Sequence, residues 1–133
     1  MKNKFKVNFW ENSNNVCYAQ TDLFDNLSKK DMKLLENLLK RIERYENYTF
    51  EQLIKSNYLE KIDNDLWELK FHLQSEVRFI GTINDTTFSV FESLVHFKKK
   101  TQKIETKYIN KAKERLKEYK KYESQKNSKV IRN

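Results

Sequence analysis

Cations supply most of the chemistry this sequence offers. Lys98, Lys99, Lys100 and Lys103 fall within six positions in VHFKKKTQKI, directly behind the strand-like run FSVFESLVHF. Earlier in the chain, Lys70 and His72 alternate with Leu69 and Phe71, and Arg78 sits between Val77 and Phe79. Successive side chains of an extended segment point to opposite faces, so Lys70 and His72 share one face and Arg78 can join them. Arginine offers a planar fork matched to phosphate, and lysine a mobile point charge. Each residue alone is ordinary solvated surface. Gathered on a bare sheet face, with the lysine block arriving where the next strand ends, they make a cationic platform.

The remaining charge follows the same division. The net charge is +8, yet residues 98–133 hold 14 Lys and Arg against 4 acids, while residues 1–97 hold 13 against 15. That asymmetry points to a polyanion or an acidic partner meeting one region, since solubility is served equally well by spread charge. Other chemistries find little support. Two His and one Cys far apart have no metal-ligand spacing, and the single glycine, Gly81, cannot make a phosphate loop, so neither a metal nor a cofactor is expected. Cys17 allows no internal disulfide, which fits a reducing cytosol. The start, MKNKFKVNFW, is basic without the apolar stretch of a signal peptide, and no run approaches the roughly 20 apolar residues that span a bilayer. A cytoplasmic protein with no membrane partner is expected. Tyr45, Tyr48 and Tyr58 have faces on which RNA bases can stack, although packing around the helices is the simpler use for them.

The elements that must position these residues can be read from periodicity. At 133 residues, with 14% aromatic residues to fill a core, the chain has the size of one domain. That domain is expected over 1–122, with a polar basic tail over 123–133. KFKVNFW alternates as a half-buried strand, and VCYAQTDLFDNL reads as a short helix. Ser28 to Asp31 has capping-box form ahead of Met32, Leu35, Leu39 and Ile42, which predicts an amphipathic helix over about 29–44. Thr49 can cap a further short helix carrying Phe50, Leu53 and Ile54. From Leu66 the period is two: strands at LWELKFH, at VRFIGTI and over 88–97 are joined by turns near 74–76 and 84–86, an antiparallel meander. Tyr108, Ile109, Ala112, Leu116 and Tyr119 mark a last helix over about 106–122. The expected class is α+β, a small, mainly antiparallel sheet with the helices mainly on one face.

LWELKF, VRFI and HFKKKTQKI, followed by a helix containing Ala and Arg, resemble the HigB-like branch of the RelE/ParE superfamily of toxin–antitoxin toxins, which includes phage-derived members. The likeness covers about residues 59–119. It implies a RelE-like fold and an endoribonuclease cutting mRNA in the ribosomal decoding site. It also implies a cognate antitoxin, commonly a helix-turn-helix protein encoded alongside. By position, Lys70 stands where the branch often has Arg, Arg78 matches the Arg of the middle strand, and Lys99, Lys100, Thr101, Gln102 and Lys103 match its lysine segment. The chain departs from the pattern at Asp65, at Glu105, and at Val95-His96, where the usual His has moved one place and so to the other strand face.

Cleavage by a 2′-hydroxyl needs a base for that oxygen, a cation for the phosphate and an acid for the leaving 5′-oxygen. Arg78 suits the phosphate. Clustered lysines disfavour one another's charge, which suits one of the block, Lys99 or Lys100, to the acid role, and Lys70 joins the catalytic set by its position. His72 is better placed than His96 for the base, while Lys98, Lys103, Thr101 and Gln102 are expected to hold RNA. Two other readings fit the same residues: a non-catalytic inhibitor of this fold acting on a target such as gyrase, and a phage-type regulator that only binds nucleic acid.

Overall fold

The computed structural model describes residues 5–44, 48–83 and 88–132, with side chains as far as residue 124. Strand β1 (Lys6–Phe9) leads to a short helix α1 (Tyr18–Asp22), a 3-10 turn (Phe24–Asn26), and helices α2 (Lys29–Arg44) and α3 (Phe50–Lys55). Strands β2 (Leu59–Asp63), β3 (Leu66–His72), β4 (Glu76–Thr82) and β5 (Val90–Lys98) follow, then helix α4 (Thr106–Arg132). The sheet order is β1-β5-β4-β3-β2, antiparallel except that β1 runs parallel to β5. The α+β class and the β3–β4–β5 meander are as expected. The turn expected near 84–86, and Tyr45, lie outside the described residues.

Two elements were not legible. In β2, LEKID, charges occupy three of five places, so no alternation shows; the strand is an edge held to β3 by a two-residue turn, and edges carry such charges. The parallel pairing of β1 with β5 joins residues more than 80 apart and leaves no local trace. α4 also continues to Arg132, past the end expected near residue 122, through the residues expected as a tail.

The capping box forms by half. Ser28 Oγ accepts the Asp31 N–H at 3.1 Å. The Asp31 carboxylate instead accepts from the Gln74 N–H (2.9 Å) and from the Ser75 N–H (3.2 Å) and hydroxyl (2.6 Å), tying the start of α2 to the β3–β4 turn.

Both sheet faces are covered, which corrects the expectation of one bare face. On one side Leu23, Leu35, Ile42 and Leu53 from the N-terminal helices pack on Val7, Leu69, Phe71, Val77, Phe79 and Phe91. On the other, α4 lays Ala112, Leu116 and Tyr119, with Trp10, over Leu66, Ile80, Leu94, Val95 and Phe97. A sheet with apolar residues on both faces must be covered on both. α4 shields only the apolar half of its face. The other half presents Glu68, Lys70, His72, Glu76 and Arg78.

A β-bulge sets the register of β5. Ile80 pairs with Val95 but Gly81 pairs with Ser93, so Leu94 is the extra residue. Leu94 and Val95 therefore both turn toward α4, while Ser93 and His96 turn toward the N-terminal helices. Gly81 makes the bulge possible, because a Cβ there would stand 2.1 Å from the Glu92 carbonyl oxygen.

Candidate functional site

The polar half of the α4 face is built by strand alternation and register. Lys70 pairs directly with Arg78 and His72 with Glu76, so four polar side chains meet on two neighbouring strands. His72 Nδ1 lies 2.8 Å from Glu76 Oε2; Glu76 lies 3.7 Å from Arg78 Nη1; Arg78 Nε lies 3.4 Å from Glu68 Oε2. Beside this row, Lys70 Nζ meets Glu60 at 3.1 Å across the β2–β3 pair. The three expected residues of these strands share one side, as alternation predicts.

Arg78 is not the exposed cation that alternation alone implied. It is 6% accessible and Glu68 3%, because two carboxylates flank the guanidinium and remove the need for water. Its Nη1 also donates to the Val77 carbonyl at 3.0 Å, which fixes the plane of the fork. Arg78 Nε and Glu68 Oε2 are buried at ion-pair distance, yet neither closes a hydrogen bond among the described residues. Burial pushes the Glu68 carboxyl up, against the charges of Lys70, Arg78 and Lys99.

His72 is half-exposed and oriented. A carboxylate only accepts, so Glu76 holds the proton on Nδ1, and in the neutral ring Nε2 becomes the free acceptor. Slight burial works to raise Glu76, but the hydrogen bond from His72 and the charge of Arg78 outweigh it and hold Glu76 below its ordinary value. The Tyr58 ring lies 5.7 Å from the imidazole.

The lysine segment does not act as one block. The Lys99 N–H donates to the Glu76 carbonyl at 2.7 Å, placing that residue beside the His72–Arg78 row. Lys98 turns the other way, its Nζ on the Asn26 carbonyl at 3.0 Å. Lys100 lines a cleft with Lys98 and Lys111. Thr101, Gln102 and Lys103 are exposed on the loop before α4, where the Thr101 hydroxyl donates to the Lys103 carbonyl. So Lys70, His72, Arg78 and Lys99 come together, Thr101, Gln102 and Lys103 lie on the loop before α4, and Lys98 and Lys100 line a separate cleft.

His96 lies in a second polar cluster, inside the protein. Its Nε2 is 2.7 Å from Ser93 Oγ and its Nδ1 3.2 Å from Asp22 Oδ2, and Arg115 donates to both Asp22 and the Leu94 carbonyl (3.1 and 2.8 Å). Both ring nitrogens are engaged, so His96 joins α1, β5 and α4 rather than facing a ligand. Burial pushes its pKa down. Burial alone would raise Asp22, but the hydrogen bonds from His96 and Arg115 hold it below its ordinary value. Both shifts act in the same direction. An imidazole depressed in the folded state is protonated first in the unfolded chain, so stability begins to fall as pH drops below the ordinary 6.5. Asp22 removes more as pH falls below its ordinary 3.8. Thermal unfolding followed between pH 7.5 and 5 is expected to show a falling midpoint, flattened in a His96→Gln variant; a slope unchanged in that variant would contradict the assignment.

Sequence reasoning missed Glu68, Glu76, Asp22 and Arg115. Glu68 was visible in principle, as the acidic member of the Glu68, Lys70, His72 alternation. Asp22 and Arg115 were not, because the contacts that join Asp22 to His96 and Arg115 to Asp22 span 74 and 93 residues. Among the described residues no group of three His, Cys, Asp or Glu is placed to hold a metal ion, and no helix is long and apolar enough to cross a membrane. A family model described as "Phage derived protein Gp49-like (DUF891)" matches residues 22–117, which include every element from the 3-10 turn through β5 and both polar clusters. No curated protein matches the chain.

Proposed function

Because the chain belongs to the Gp49-like family of phage-derived, toxin-like proteins, in the clan of the RelE/HigB-type toxins, we propose that it is the toxin of a toxin–antitoxin pair and a ribosome-dependent mRNA endoribonuclease of the HigB-like branch. The observation that carries the catalytic part is the His72–Glu76–Arg78 row, with Lys70 and Lys99 beside it. It sets an oriented base next to a fixed guanidinium.

The geometry supports the following division of labour. His72 Nε2, free because Glu76 holds Nδ1, takes the proton of the 2′-hydroxyl. The oxygen attacks the adjacent phosphorus, and the 5′-oxygen leaves. Arg78, held in plane by Val77, Glu76 and Glu68, stabilises the charge gathering on the phosphate oxygens. Lys70 and Lys99 neutralise the same phosphate, and Lys99 returns a proton to the leaving oxygen. The products are a 2′,3′-cyclic phosphate and a free 5′-hydroxyl. Thr101, Gln102 and Lys103, exposed on the loop before α4, hold the RNA backbone around this centre, while Lys98, turned onto the Asn26 carbonyl, takes no part. Working on ribosomes places the protein in the cytoplasm, and a cognate antitoxin, commonly a helix-turn-helix protein encoded next to it, restrains it until needed.

His72→Gln tests the base. Glutamine keeps a polar side chain facing Glu76 and loses the proton acceptor, so cleavage should fall roughly 100-fold or more while ribosome binding stays. Single-turnover rates on programmed ribosomes, with co-sedimentation as the binding control, measure both. A His72→Gln protein cutting at the wild-type rate removes His72 from the mechanism.

A further inference from the structure

At the edge of β5 away from β4, a cleft remains that the proposed reaction does not use. β1 pairs with β5 only from Val90 to Ser93, so from Leu94 onward that edge has no strand beside it among the described residues. The Lys99 N–H on the Glu76 carbonyl fixes the ladder phase: Lys98 and His96 face Val77 and Phe79 in pairs that lack their own hydrogen bonds, and their backbone groups point outward. Asp22 takes the His96 N–H at 3.3 Å. The His96 carbonyl and the Lys98 N–H have no hydrogen-bond partner among the described residues. They open toward a cleft of about 420 Å³ between Asp22 and Asn26 on one side and Tyr108 and Lys111 on the other. Lys98, Lys100 and Lys111 line it. Asp22, the acidic residue in that lining, is already engaged by His96 and Arg115.

A phosphate chain would use the lysines and leave the open strand edge idle. A peptide strand uses both. We infer that this cleft docks an extended acidic segment of a protein partner, added as a strand to the open edge of β5 with its carboxylates on Lys98, Lys100 and Lys111. The outward groups of His96 and Lys98 span about 6.6 Å, so roughly three partner residues pair directly. Identifying that partner as the antitoxin rests on the proposed function; the acidic strand itself rests on the cleft. Docking here grips the segment that carries Lys99 to the side of Arg78, so a bound strand restrains the site without covering it.

The test titrates the isotope-labelled full chain with the decapeptide (Glu-Val)5 and, separately, with decauridine, following backbone amides by NMR. The peptide is expected to shift the amides of residues 95–98 and 111 and to leave those of Lys70 and Arg78 in place. Lys111→Glu should weaken it about 10-fold or more. Lys98→Pro removes the outward N–H without touching the β4 ladder, so it should weaken the peptide beyond Lys98→Gln, which removes charge alone. Four results would overturn the inference: no shift at residues 95–98 at millimolar peptide, shifts centred on Lys70 and Arg78, equal affinities of the two Lys98 variants, or occupation of the cleft by decauridine in place of the peptide. Should Lys98→Pro fail to fold by circular dichroism, the shift map and Lys111→Glu decide. Growth arrest by the uncomplexed protein tests the toxin reading separately, so either can fail alone.

Discussion

Arg78→Lys is expected to remove RNA cleavage while the protein stays folded, and Arg78→Ala to destabilise the fold as well. The difference lies in Glu68. Both side chains are buried against each other, so alanine leaves a buried carboxylate without its cation, at a cost of about 3–5 kcal/mol. Lysine retains the charge that Glu68 needs and loses the planar fork that meets phosphate through two donors. Cleavage by Arg78→Lys should fall by roughly 100-fold or more, the size seen when one preorganised donor to a developing negative charge is lost. Rates on programmed ribosomes together with urea unfolding separate the two variants. Wild-type rates from Arg78→Lys would remove the guanidinium from the reaction; a stable Arg78→Ala would contradict the buried pair.

Gly81→Ala is expected to be the most damaging single methyl in the chain. The new Cβ would stand 2.1 Å from the Glu92 carbonyl oxygen and 2.9 Å from both the Glu92 carbonyl carbon and the Phe91 ring. Two of those atoms are backbone of β5, so no rotamer change relieves the clash. The strands must part at the bulge that aligns β5 with β4. A cost of about 3 kcal/mol or more, at the upper end for overpacking, is a large share of a typical 5–15 kcal/mol stability. Gly81→Val should not fold. The urea midpoint reads the alanine variant, and an unchanged midpoint would mean that the β4–β5 register is not as described.

Much of this architecture was legible because local pattern and tertiary environment agree. Leu35, Leu39 and Ile42 give α2 one apolar stripe, and the helix runs from Lys29 to Arg44 as their spacing requires. Trp67, Leu69 and Phe71 face the N-terminal helices, which put Lys70 and His72 together on the other side. What failed was the inference from polar side chains to an uncovered face. Leu66, Ile80 and Val95 share that face with them, and α4 covers these while sparing the polar end. The bulge at Leu94 was hidden too, since polar and apolar residues do not alternate in FESLVHF and an extra residue there breaks no pattern. The candidate site was half visible. Its cations declare themselves by type and spacing, whereas the carboxylates that orient them, Glu76 for His72 and Glu68 for Arg78, gain meaning only from pairing across strands. The lysine segment shows the same limit: consecutive residues on an extended chain must diverge, so Lys98 and Lys99 serve opposite sides.

Everything proposed for the site depends on the protein cutting mRNA on the ribosome by 2′-hydroxyl attack. It is tested most directly by adding the purified protein to ribosomes stalled on a defined mRNA, with the same mRNA free in solution as control, and mapping the RNA ends. New ends are expected within the codon exposed in the decoding site, carrying 2′,3′-cyclic phosphate and 5′-hydroxyl groups, absent with Arg78→Lys. Arrested growth with intact mRNA on the ribosome, accompanied by broken DNA or altered supercoiling, would contradict it.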